Sequence, residues 1–574
     1  MTFDISIRIA GQAGQGIQSI SSVMGKLLVR HGYYVFINND VESRIRGGHN
    51  YDQIRISNVP VQAPSDKVEL LIALDAEKKG VDLPYLKNDG VMICDGRKSE
   101  VTSEKPKPLA IPLEQLALEA GGSKIMANTV AIGAAFAVLK FDLGPVSDHL
   151  ATVFEAKGEA VVRFNQKCVE AGYRYVQQQF KGGFPYEIKA GEFKKKRMLI
   201  NGSQAMALGA ICSGLKFYSG YPMSPSTGIM ETVAAMAEEY RIVVEQAEDE
   251  ISAINMAIGA SFAGVRAMTA TSGGGFCLMV EALGLAGMTE TPVVVINAQR
   301  PGPSTGLPTR TEQSDLKFAI HAGHGEYPKA VLAPGNAEQA FFAVAKAFNL
   351  ADRYQTPVII LTDQLLNDSF ITVDGFDLTR ITIDRGKILN DKDLSSAGEY
   401  KRYALDKSGV SPRVIPGQTE AVLYADSDEH TEAGHITESA EVRNQQHEKR
   451  MSKLKGLGQE MNAPEFYPSL KGDIILLGWG STYGVLKEAV DQMNSQDMSA
   501  RLIHFSEIYP FPQCDFSKII DDQEKIVSVE NNYSGQFASI FSHETGLAIS
   551  QKILKFDGRP FTAQEIINDV KEGL

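Results

Sequence analysis

Cysteine is scarce in this chain: there are five in 574 residues, and no two of them form a CxxC pair. They are Cys94, Cys168, Cys212, Cys277 and Cys514. Iron–sulfur clusters held by four thiolates use closely spaced cysteines, so this spacing excludes a cluster bound by this chain alone. The odd number and wide separation also argue against a disulfide framework. We expect five small, buried, apolar thiols.

Long apolar runs and a basic excess are missing as well. No stretch of eighteen or more apolar residues occurs, and the first residues, MTFDISIRIAGQAGQG, carry no basic segment before an apolar core. This predicts neither a membrane-spanning helix nor a secretory signal, hence a soluble, cytoplasmic protein. Acidic residues outnumber basic ones by 70 to 57, a net charge of −13. Such a charge repels polyphosphate and excludes general binding of nucleic acid or anionic membrane.

What the chain does have is enough apolar residues for several cores. Hydrophobic residues make up 43% and charged residues 22% of the sequence, and the length predicts three to five folded units. Short buried strands alternate with helical runs in three regions, which predicts the α/β fold class with three α/β domains. We predict domains at 1–182, 199–375 and 469–574, a Gly/Pro-containing linker at 183–198, and a charged, turn-rich arm or crossover at 376–468.

The first region opens with a strand, a glycine turn and a helix, which predicts a parallel α/β unit. Gly11, Gly14 and Gly16 lie where backbone N–H groups can hold an anion, but their spacing is not GxGxxG, and tight-turn geometry explains them equally well. The segment ESRIRGGHN adds Arg44 and Arg46. A phosphate site and a subunit contact are two roles that suit these arginines. The alternative is that they are solvated or form ordinary ion pairs on the surface.

The loop GYPMSPST, residues 220–227, is a more specific signal. Two prolines fix its backbone and present the hydroxyls of Ser224, Ser226 and Thr227, an arrangement suited to a small polar ligand. The alternative is a rigid turn that caps the next helix.

Four acidic residues precede the next helix, in EQAEDEISAINMAIGASFAG. They are Glu245, Glu248, Asp249 and Glu250, and the helix that follows carries small residues that let a neighbour approach. One of these carboxyls would suit acid–base work on a heterocycle. The alternative is stabilisation of the helix N-terminus through its dipole.

Two glycine-rich segments follow, TSGGGF and RPGPSTGLPTRTEQSDL. Arg300 ends a buried strand and begins the second segment, in which Thr309 and Arg310 lie near the end. The carboxyl ends of strands are where α/β sheets bind ligands, and the planar guanidinium matches a carboxylate. A structural ion pair is the alternative. The three segments together favour a ligand site.

These residues resemble the 2-oxoacid:ferredoxin oxidoreductases, specifically the α subunit with the γ domain fused at its N-terminus. The resemblance covers nearly the whole chain and includes GQAGQGI, ESRIRGGHN, GYPMSPST, EDEISAINMAIGAS, TSGGGF, RPGPSTGLPTRTEQSDL, DEHTEAGHITE, GWGST and VENNYSGQF. It implies a γ-like domain, a thiamine-diphosphate-binding domain of the pyrimidine type, and a transketolase C-terminal-like domain. It also implies decarboxylation of a 2-oxo acid on thiamine diphosphate, electron transfer to ferredoxin, and formation of an acyl-CoA, a reaction that is reversible in many members.

The resemblance assigns site residues as well. Glu250 would be the catalytic glutamate that hydrogen-bonds the aminopyrimidine ring, since its offset of nine residues to Gly259 fits better than that of Glu248. The cofactor-binding loop would contain Tyr221, Pro222 and Ser224, with Ser224 where the family has threonine. Ser224, Arg300 and Thr309 would also bind the substrate, with Arg300 on the 2-oxo acid carboxylate. No metal ligand is expected on this chain.

The absence of one motif that thiamine enzymes need indicates that a partner subunit is required. The GDG sequence that holds Mg²⁺ and the diphosphate in thiamine enzymes is absent, so a β subunit would supply it together with a [4Fe-4S] cluster, in an α2β2 assembly with CoA as cosubstrate. The segments resemble the 2-oxoglutarate branch most. Pyruvate and branched-chain 2-oxo acids are alternatives, as are a lipoamide-linked dehydrogenase-like subunit and a noncatalytic scaffold.

Overall fold

A computed structural model describes residues 3–42, 47–75, 79–96, 108–189, 191, 196–389, 400–418 and 422–574. The chain divides into two compact units. The first comprises Met1–Ile200 and Ser369–Gly375, and the second comprises Asn201–Asp368 and Phe376–Leu574. The limits predicted for the three domains, the linker and the arm remain predictions.

The strands are numbered in chain order. They are β1 (Asp4–Ala13), β2 (Tyr34–Val41), β3 (Gly47–Ser57), β4 (Val68–Ala73), β5 (Leu86–Asp95), β6 (Pro108–Ile111), β7 (Met198–Asn201), β8 (Leu215–Gly220), β9 (Val243–Gln246), β10 (Arg266–Thr271), β11 (Val293–Gln299), β12 (Ala330–Leu332), β13 (Pro357–Asp363), β14 (Phe370–Val373), β15 (Glu465–Tyr467), β16 (Ile474–Trp479), β17 (Ala500–Phe505), β18 (Glu507–Tyr509), β19 (Lys525–Glu530) and β20 (Gln551–Leu554).

The α-helices are numbered in the same way. They are α1 (Ile17–Arg30), α2 (Leu113–Glu119), α3 (Ala127–Val138), α4 (Leu143–Phe154), α5 (Glu159–Gln179), α6 (Gly202–Cys212), α7 (Thr227–Tyr240), α8 (Glu250–Phe262), α9 (Gly273–Met288), α10 (Leu316–His321), α11 (Ala337–Tyr354), α12 (Gln364–Asp368), α13 (Ala440–Glu460), α14 (Tyr483–Ser495), α15 (Gln536–Thr545) and α16 (Ala563–Gly573). Among the described residues no helix is long and apolar enough to cross a membrane.

The first unit is built on an eight-stranded sheet with the order β6-β5-β4-β1-β3-β2-β14-β7. Strands β1, β4, β5 and β6 pair in parallel, as the sequence predicts. However, β3 pairs antiparallel with both β1 and β2. The predicted parallel unit is therefore confirmed for β1, β4 and β5, whereas β2 and β3, which were not predicted, add antiparallel pairs. The reason is that β2 and β3 are joined by a short connection, which returns the chain antiparallel to its neighbour.

The glycine turn after β1 has the conformation that glycine permits. Gly14 and Gly16 have φ angles of 91° and 80°, and Gly16 caps α1 without a side-chain hydrogen bond. A left-handed φ is costly for residues with a Cβ, so tight-turn geometry accounts for these two glycines. Arg44 and Arg46 lie outside the described residues.

The second unit contains two sheets. The seven-stranded sheet has the order β18-β12-β13-β11-β10-β8-β9, and the five-stranded sheet has the order β15-β17-β16-β19-β20. The central strands β8, β10, β11 and β13 pair in parallel, so their carboxyl ends meet at one edge. Together with the first unit, these sheets confirm the predicted α/β fold class.

Candidate active site at the carboxyl edge of the seven-stranded sheet

Glu250 begins helix α8 and is buried. The preceding residue, Asp249, caps the helix, because its Oδ1 accepts a hydrogen bond of 2.7 Å from the Ser252 backbone N–H. Capping is therefore done by Asp249, which leaves the Glu250 carboxyl for another purpose. The Glu250 side chain is 3% exposed. Its Oε1 atom has no hydrogen-bond partner among the described residues.

The Glu250 carboxyl lies against the first turn of helix α9. A Cβ atom placed on Gly275 would be only 2.5 Å from Glu250 Oε1 and 2.1 Å from Thr271 Oγ1, well inside van der Waals contact. Glycine is therefore required at this position for the carboxyl to sit there. Thr271 is the last residue of β10, so Glu250 lies over the carboxyl edge of the sheet, where parallel α/β sheets bind ligands.

Two contacts attach the loop after β8 to the ends of neighbouring strands, and a third stabilises the loop itself. Thr271 Oγ1 is 3.9 Å from the sulfur of Met223, and Ser226 Oγ donates to the Met223 carbonyl oxygen at 2.7 Å. Arg300 Nη1 donates to the Ser224 carbonyl oxygen at 2.6 Å. These contacts link the loop that carries Ser224 to Arg300 and to Thr271, the residue beside which the Glu250 carboxyl lies.

Arg300 is positioned at the end of β11 and is partly buried. Burial lowers the pKa of its guanidinium from the ordinary value, which reflects the cost of removing a cation from water. Only Nη1 of Arg300 donates a hydrogen bond to the Ser224 carbonyl oxygen. The planar fork has further N–H groups with which to bind a carboxylate.

The other predicted site residues differ in exposure. Tyr221 is 40% exposed and Pro222 is exposed, whereas Ser224 and Thr309 are half-buried. The segment after Thr309 is attached to the C-terminal region, because the Thr311 backbone N–H donates to the Gly558 carbonyl oxygen at 3.2 Å. The ligand-binding roles of these residues remain predictions.

Two carboxyls at the same edge, that of the buried Asp363 and that of the half-buried Asp315, were not found from the sequence. Burial raises the pKa of Asp363, the last residue of β13, to about 6, and it also raises the pKa of Asp315. Asp363 accepts a hydrogen bond from Ser481 Oγ, and Asp315 Oδ2 accepts one of 3.0 Å from Asn297. The sequence did contain an indication of Asp363, because it ends the predicted strand PVIILTD and the carboxyl ends of such strands are where α/β sheets bind ligands.

A buried carboxyl, a polar loop and an arginine at the carboxyl edge of a parallel sheet are the arrangement of a ligand-binding site in an α/β protein. Comparison with protein families gives a more specific result. Residues 208–449 match the thiamine-diphosphate-binding domain of pyruvate flavodoxin/ferredoxin oxidoreductases, residues 6–175 match pyruvate ferredoxin/flavodoxin oxidoreductases, and residues 472–566 match core domain II of pyruvate:ferredoxin oxidoreductase.

Whole-chain relatives agree. The chain is 33% identical to a 2-oxoacid:ferredoxin oxidoreductase subunit alpha from Sulfolobus sp, over 98% of this chain and 97% of the relative. It is 28% identical to the 2-oxoglutarate oxidoreductase subunit KorA of Mycobacterium tuberculosis, over 100% and 92% of the two chains. The solved structure of 2-oxoglutarate:ferredoxin oxidoreductase from Magnetococcus marinus, with 2-oxoglutarate, coenzyme A and succinyl-CoA bound, is 32% identical over 99% of both chains, with a TM-score of 0.92.

This chain belongs to the family of 2-oxoacid:ferredoxin oxidoreductase alpha subunits. The predicted family is therefore confirmed, and with it the class of enzyme. The name of these relatives also identifies the chain as one subunit of a multi-subunit oxidoreductase.

Proposed function

We propose that this cytoplasmic chain is the alpha subunit of a 2-oxoglutarate:ferredoxin oxidoreductase. The enzyme would convert 2-oxoglutarate and CoA to succinyl-CoA and CO2, pass two electrons to ferredoxin, and catalyse the reverse reductive carboxylation. The observation that carries the proposal is the buried Glu250 carboxyl with an unpartnered Oε1. The 2-oxoglutarate in the related Magnetococcus marinus structure supports the substrate.

The residues at the sheet edge fit the pyrimidine end of thiamine diphosphate. When bound, this coenzyme would supply the electron sink that allows a 2-oxo acid to lose CO2. Glu250 Oε1 would take part in a hydrogen bond at the ring nitrogen of the aminopyrimidine, which favours the imino form. Gly275 leaves room for that carboxyl, and Tyr221, Pro222 and Ser224 would line the coenzyme side of the loop.

Arg300 and its neighbours would bind the substrate. The free N–H groups of the guanidinium would orient the carboxylate that is lost as CO2, because charge-assisted hydrogen bonds are strong and directional. Ser224 is fixed by its carbonyl contact to the same guanidinium and would present its hydroxyl to the substrate. Thr309 would shape the pocket from the following loop.

A partner subunit would complete this site. The sequence lacks the GDG motif and closely spaced cysteines, so the β subunit would carry Mg²⁺, the diphosphate site and the [4Fe-4S] cluster, in an α2β2 complex that reduces ferredoxin. Large apolar side chains next to the site support docking of that subunit here. Ile251 and Leu278, on α8 and α9, are each 50% exposed, which is high for such residues on adjacent helices.

The test is activity of the assembled, cluster-loaded complex. We expect viologen or ferredoxin reduction that requires both CoA and a 2-oxo acid, with 2-oxoglutarate preferred over pyruvate and over branched-chain and aryl 2-oxo acids. Preference for another 2-oxo acid would refute the substrate only. Absence of any CoA-dependent activity in a loaded complex would refute the function.

A matched pair of variants tests Glu250. Glu250→Gln should abolish turnover and coenzyme activation while the complex still assembles. Glu248→Gln should retain turnover, since Glu248 is exposed and its side chain only accepts a hydrogen bond of 3.3 Å from Ser252 Oγ among the described residues. Near-normal turnover of Glu250→Gln would contradict the proposed role.

A further inference from the structure

The five-stranded sheet of the second unit has a crevice of the kind in which parallel α/β sheets bind ligands. Strand β16 lies between β17 and β19 and pairs in parallel with both. The chain therefore continues from β16 to β17 on one side and returns to β19 on the other. Open α/β sheets bind ligands at such a reversal, outside the carboxyl ends of the strands. In this sheet the position lies between Trp479, which ends β16, and Asn531, which follows β19.

A glutamine side chain from a loop of the seven-stranded sheet occupies this crevice. Gln313 belongs to residues 300–315, which begin with Arg300, include Thr309 and which we call the substrate loop. Gln313 is 0% exposed. Its Nε2 donates to the Trp479 carbonyl oxygen at 2.8 Å, and its Oε1 accepts a hydrogen bond of 3.1 Å from the Asn531 backbone N–H. The amide thus joins the ends of β16 and β19 as a bound ligand would.

The backbone of Gln313 is attached to the same sheet. Its N–H donates to the Asn531 carbonyl oxygen at 2.7 Å, and its carbonyl oxygen accepts a hydrogen bond of 3.1 Å from Asn532 Nδ2. Gly480, directly after β16, permits this approach, because it has a φ of 56° and a Cβ atom there would lie 3.0 Å from Gln313 Nε2. Another residue at this position would be strained and would crowd the amide.

A buried carboxylate holds the wall of the crevice in place. Glu530 is 0% exposed, and its Oε2 accepts hydrogen bonds of 2.9 Å from Asn532 Nδ2 and 2.8 Å from the Phe537 backbone N–H. Its Oε1 accepts one of 2.8 Å from the Ala538 backbone N–H. A carboxylate is stabilised at the N-terminus of a helix, here that of α15. Glu530 therefore fixes Asn532 against the start of α15.

A second glutamine makes an attachment in the opposite direction. Gln536 is the first residue of α15 and is half-buried. Its Nε2 donates to the Ser314 carbonyl oxygen at 2.6 Å, and its Oε1 accepts a hydrogen bond of 2.8 Å from the Lys317 backbone N–H. The end of the substrate loop is therefore held by one amide from each of the two sheets.

The substrate loop is also attached to the sheet from which it starts. Arg300 directly follows β11, and the Asp315 backbone N–H donates to Gln299 Oε1 at 2.9 Å. Thr309 comes between Arg300 and Gln313 in the sequence, four residues before the glutamine. Its position relative to Arg300 therefore depends on attachments to both sheets.

We propose that Gln313 and Gln536 are positioning residues for the proposed reaction, because they hold the substrate loop in the crevice of the five-stranded sheet. With the loop held there, Thr309 and Arg300 face the same 2-oxo acid. This role rests on the proposed function of these two residues. Neither amide takes part in a chemical step, since both are bonded to backbone groups. The crevice thus serves a segment of the same chain in the place of a small ligand.

The Michaelis constants of the assembled, cluster-loaded complex test this role. Gln313→Leu keeps a side chain of similar size but removes both of its hydrogen bonds, and the Asn531 backbone N–H loses its acceptor. We expect KM for the 2-oxo acid to rise about 10-fold, the factor that corresponds to one unmade hydrogen bond. Proton exchange at thiazolium C2 should stay unchanged, because Glu250 lies on α8 and not on the substrate loop.

Two further variants provide the comparison. Gln536→Ala should also raise KM for the 2-oxo acid, since it releases the end of the loop at a less buried position. Gln564→Leu should leave KM unchanged, because Gln564 is exposed on α16 and donates to Asn568 at 2.8 Å.

A pH profile separates positioning from a general loss of stability. In Gln313→Glu the protonated side chain still offers a donor and an acceptor, whereas the ionised one only accepts and would repel the Trp479 carbonyl oxygen. Burial favours the protonated form, as does the carboxylate of Glu530 beside the crevice. KM of this variant for the 2-oxo acid should therefore be close to that of the unmodified complex at low pH and should exceed it increasingly as the pH rises.

The outcomes distinguish this role from the proposed function. An unchanged KM in Gln313→Leu, or a loss of C2 proton exchange in the same proportion, would overturn the positioning role alone, provided that the unmodified complex turns over the 2-oxo acid. An unmodified complex without such turnover would refute both. If Gln313→Leu does not assemble, the pH profile of Gln313→Glu and the KM of Gln536→Ala decide.

Discussion

Replacing Gly275 with alanine tests the geometry of the active site more sharply than removing the glutamate. The added methyl group would lie 2.1 Å from Thr271 Oγ1 and 2.5 Å from Glu250 Oε1. Carbon–oxygen contacts shorter than about 3 Å do not persist, since atoms in contact lie about 3.5–4.0 Å apart at their optimum. The glutamate carboxyl must therefore move by about 1 Å from its position over α9.

The expected effect is a large loss of turnover with little loss of stability. A displacement of about 1 Å at a reacting group lowers rates by about 100-fold. Alanine is preferred over glycine inside a helix by roughly 1 kcal/mol, which offsets part of the strain. We therefore expect kcat to fall by about two orders of magnitude, while the melting temperature of the complex stays within a few degrees of the original.

The assay is 2-oxo acid- and CoA-dependent viologen reduction, combined with proton exchange at thiazolium C2 as a direct measure of coenzyme activation. Gly144→Ala is the control, because Gly144 lies in helix α4 and an added Cβ would have no neighbour within 4 Å. A Gly275→Ala enzyme with normal kcat and normal exchange would refute the placement of the Glu250 carboxyl.

Three further substitutions test other parts of the second unit. Arg300→Ala should lower kcat/KM for the 2-oxo acid by about 10- to 100-fold, the value of one charge-assisted hydrogen bond, without changing KM for CoA; an unchanged kcat/KM would reject Arg300 as the carboxylate anchor. Asp363→Asn should flatten the pH dependence of stability. The folded-state pKa of Asp363, about 6, lies above the ordinary 3.8, so the native protein loses up to roughly 3 kcal/mol of stability as pH rises from about 4 to 6. If the melting temperatures of variant and parent change with pH in the same way over this range, the expectation is contradicted. His504 has the opposite pH dependence, because burial lowers its pKa to about 4. The native protein therefore loses stability as pH falls from 6.5 towards 4. The His504→Gln variant should lose less stability over this range.

Much of the second unit was predictable because its strands are short apolar runs. The sequence PVIILTD forms β13 and the run in TPVVVINAQ forms β11, both buried along their whole length. A strand covered on both faces by helices needs apolar residues at every position, so periodicity and length identify it. The carboxyl ends of these strands then indicate where ligands bind.

Helix α13 shows where hydrophobic periodicity fails. The sequence of this region, with charges spread over AEVRNQQHEKR, was interpreted as a turn-rich arm, yet the structure has a helix of 21 residues there. Its buried residues include Lys449, Arg450 and Lys453. Because much of the face turned inwards is cationic, the apolar stripe that marks an ordinary surface helix is missing. Glu290, the acidic partner of both lysines, is distant in sequence, so its pairing with them could not be predicted from the local pattern.

The active site shows a related limit of sequence motifs. The family resemblance, through the offset to Gly259, singled out Glu250 from its acidic neighbours. In the structure Asp249 caps the helix, while Glu250 packs over glycine. Spacing also placed Arg300 at a strand end, but it did not reveal that the guanidinium holds the Ser224 carbonyl. A motif fixes which side chains reach the sheet edge, whereas their hydrogen bonds depend on loops folded from distant segments. In the proposed function Arg300 would have two roles. A substitution there removes the hydrogen bond to the Ser224 loop and would also remove the proposed carboxylate contact, so we expect kcat and KM for the 2-oxo acid to change together.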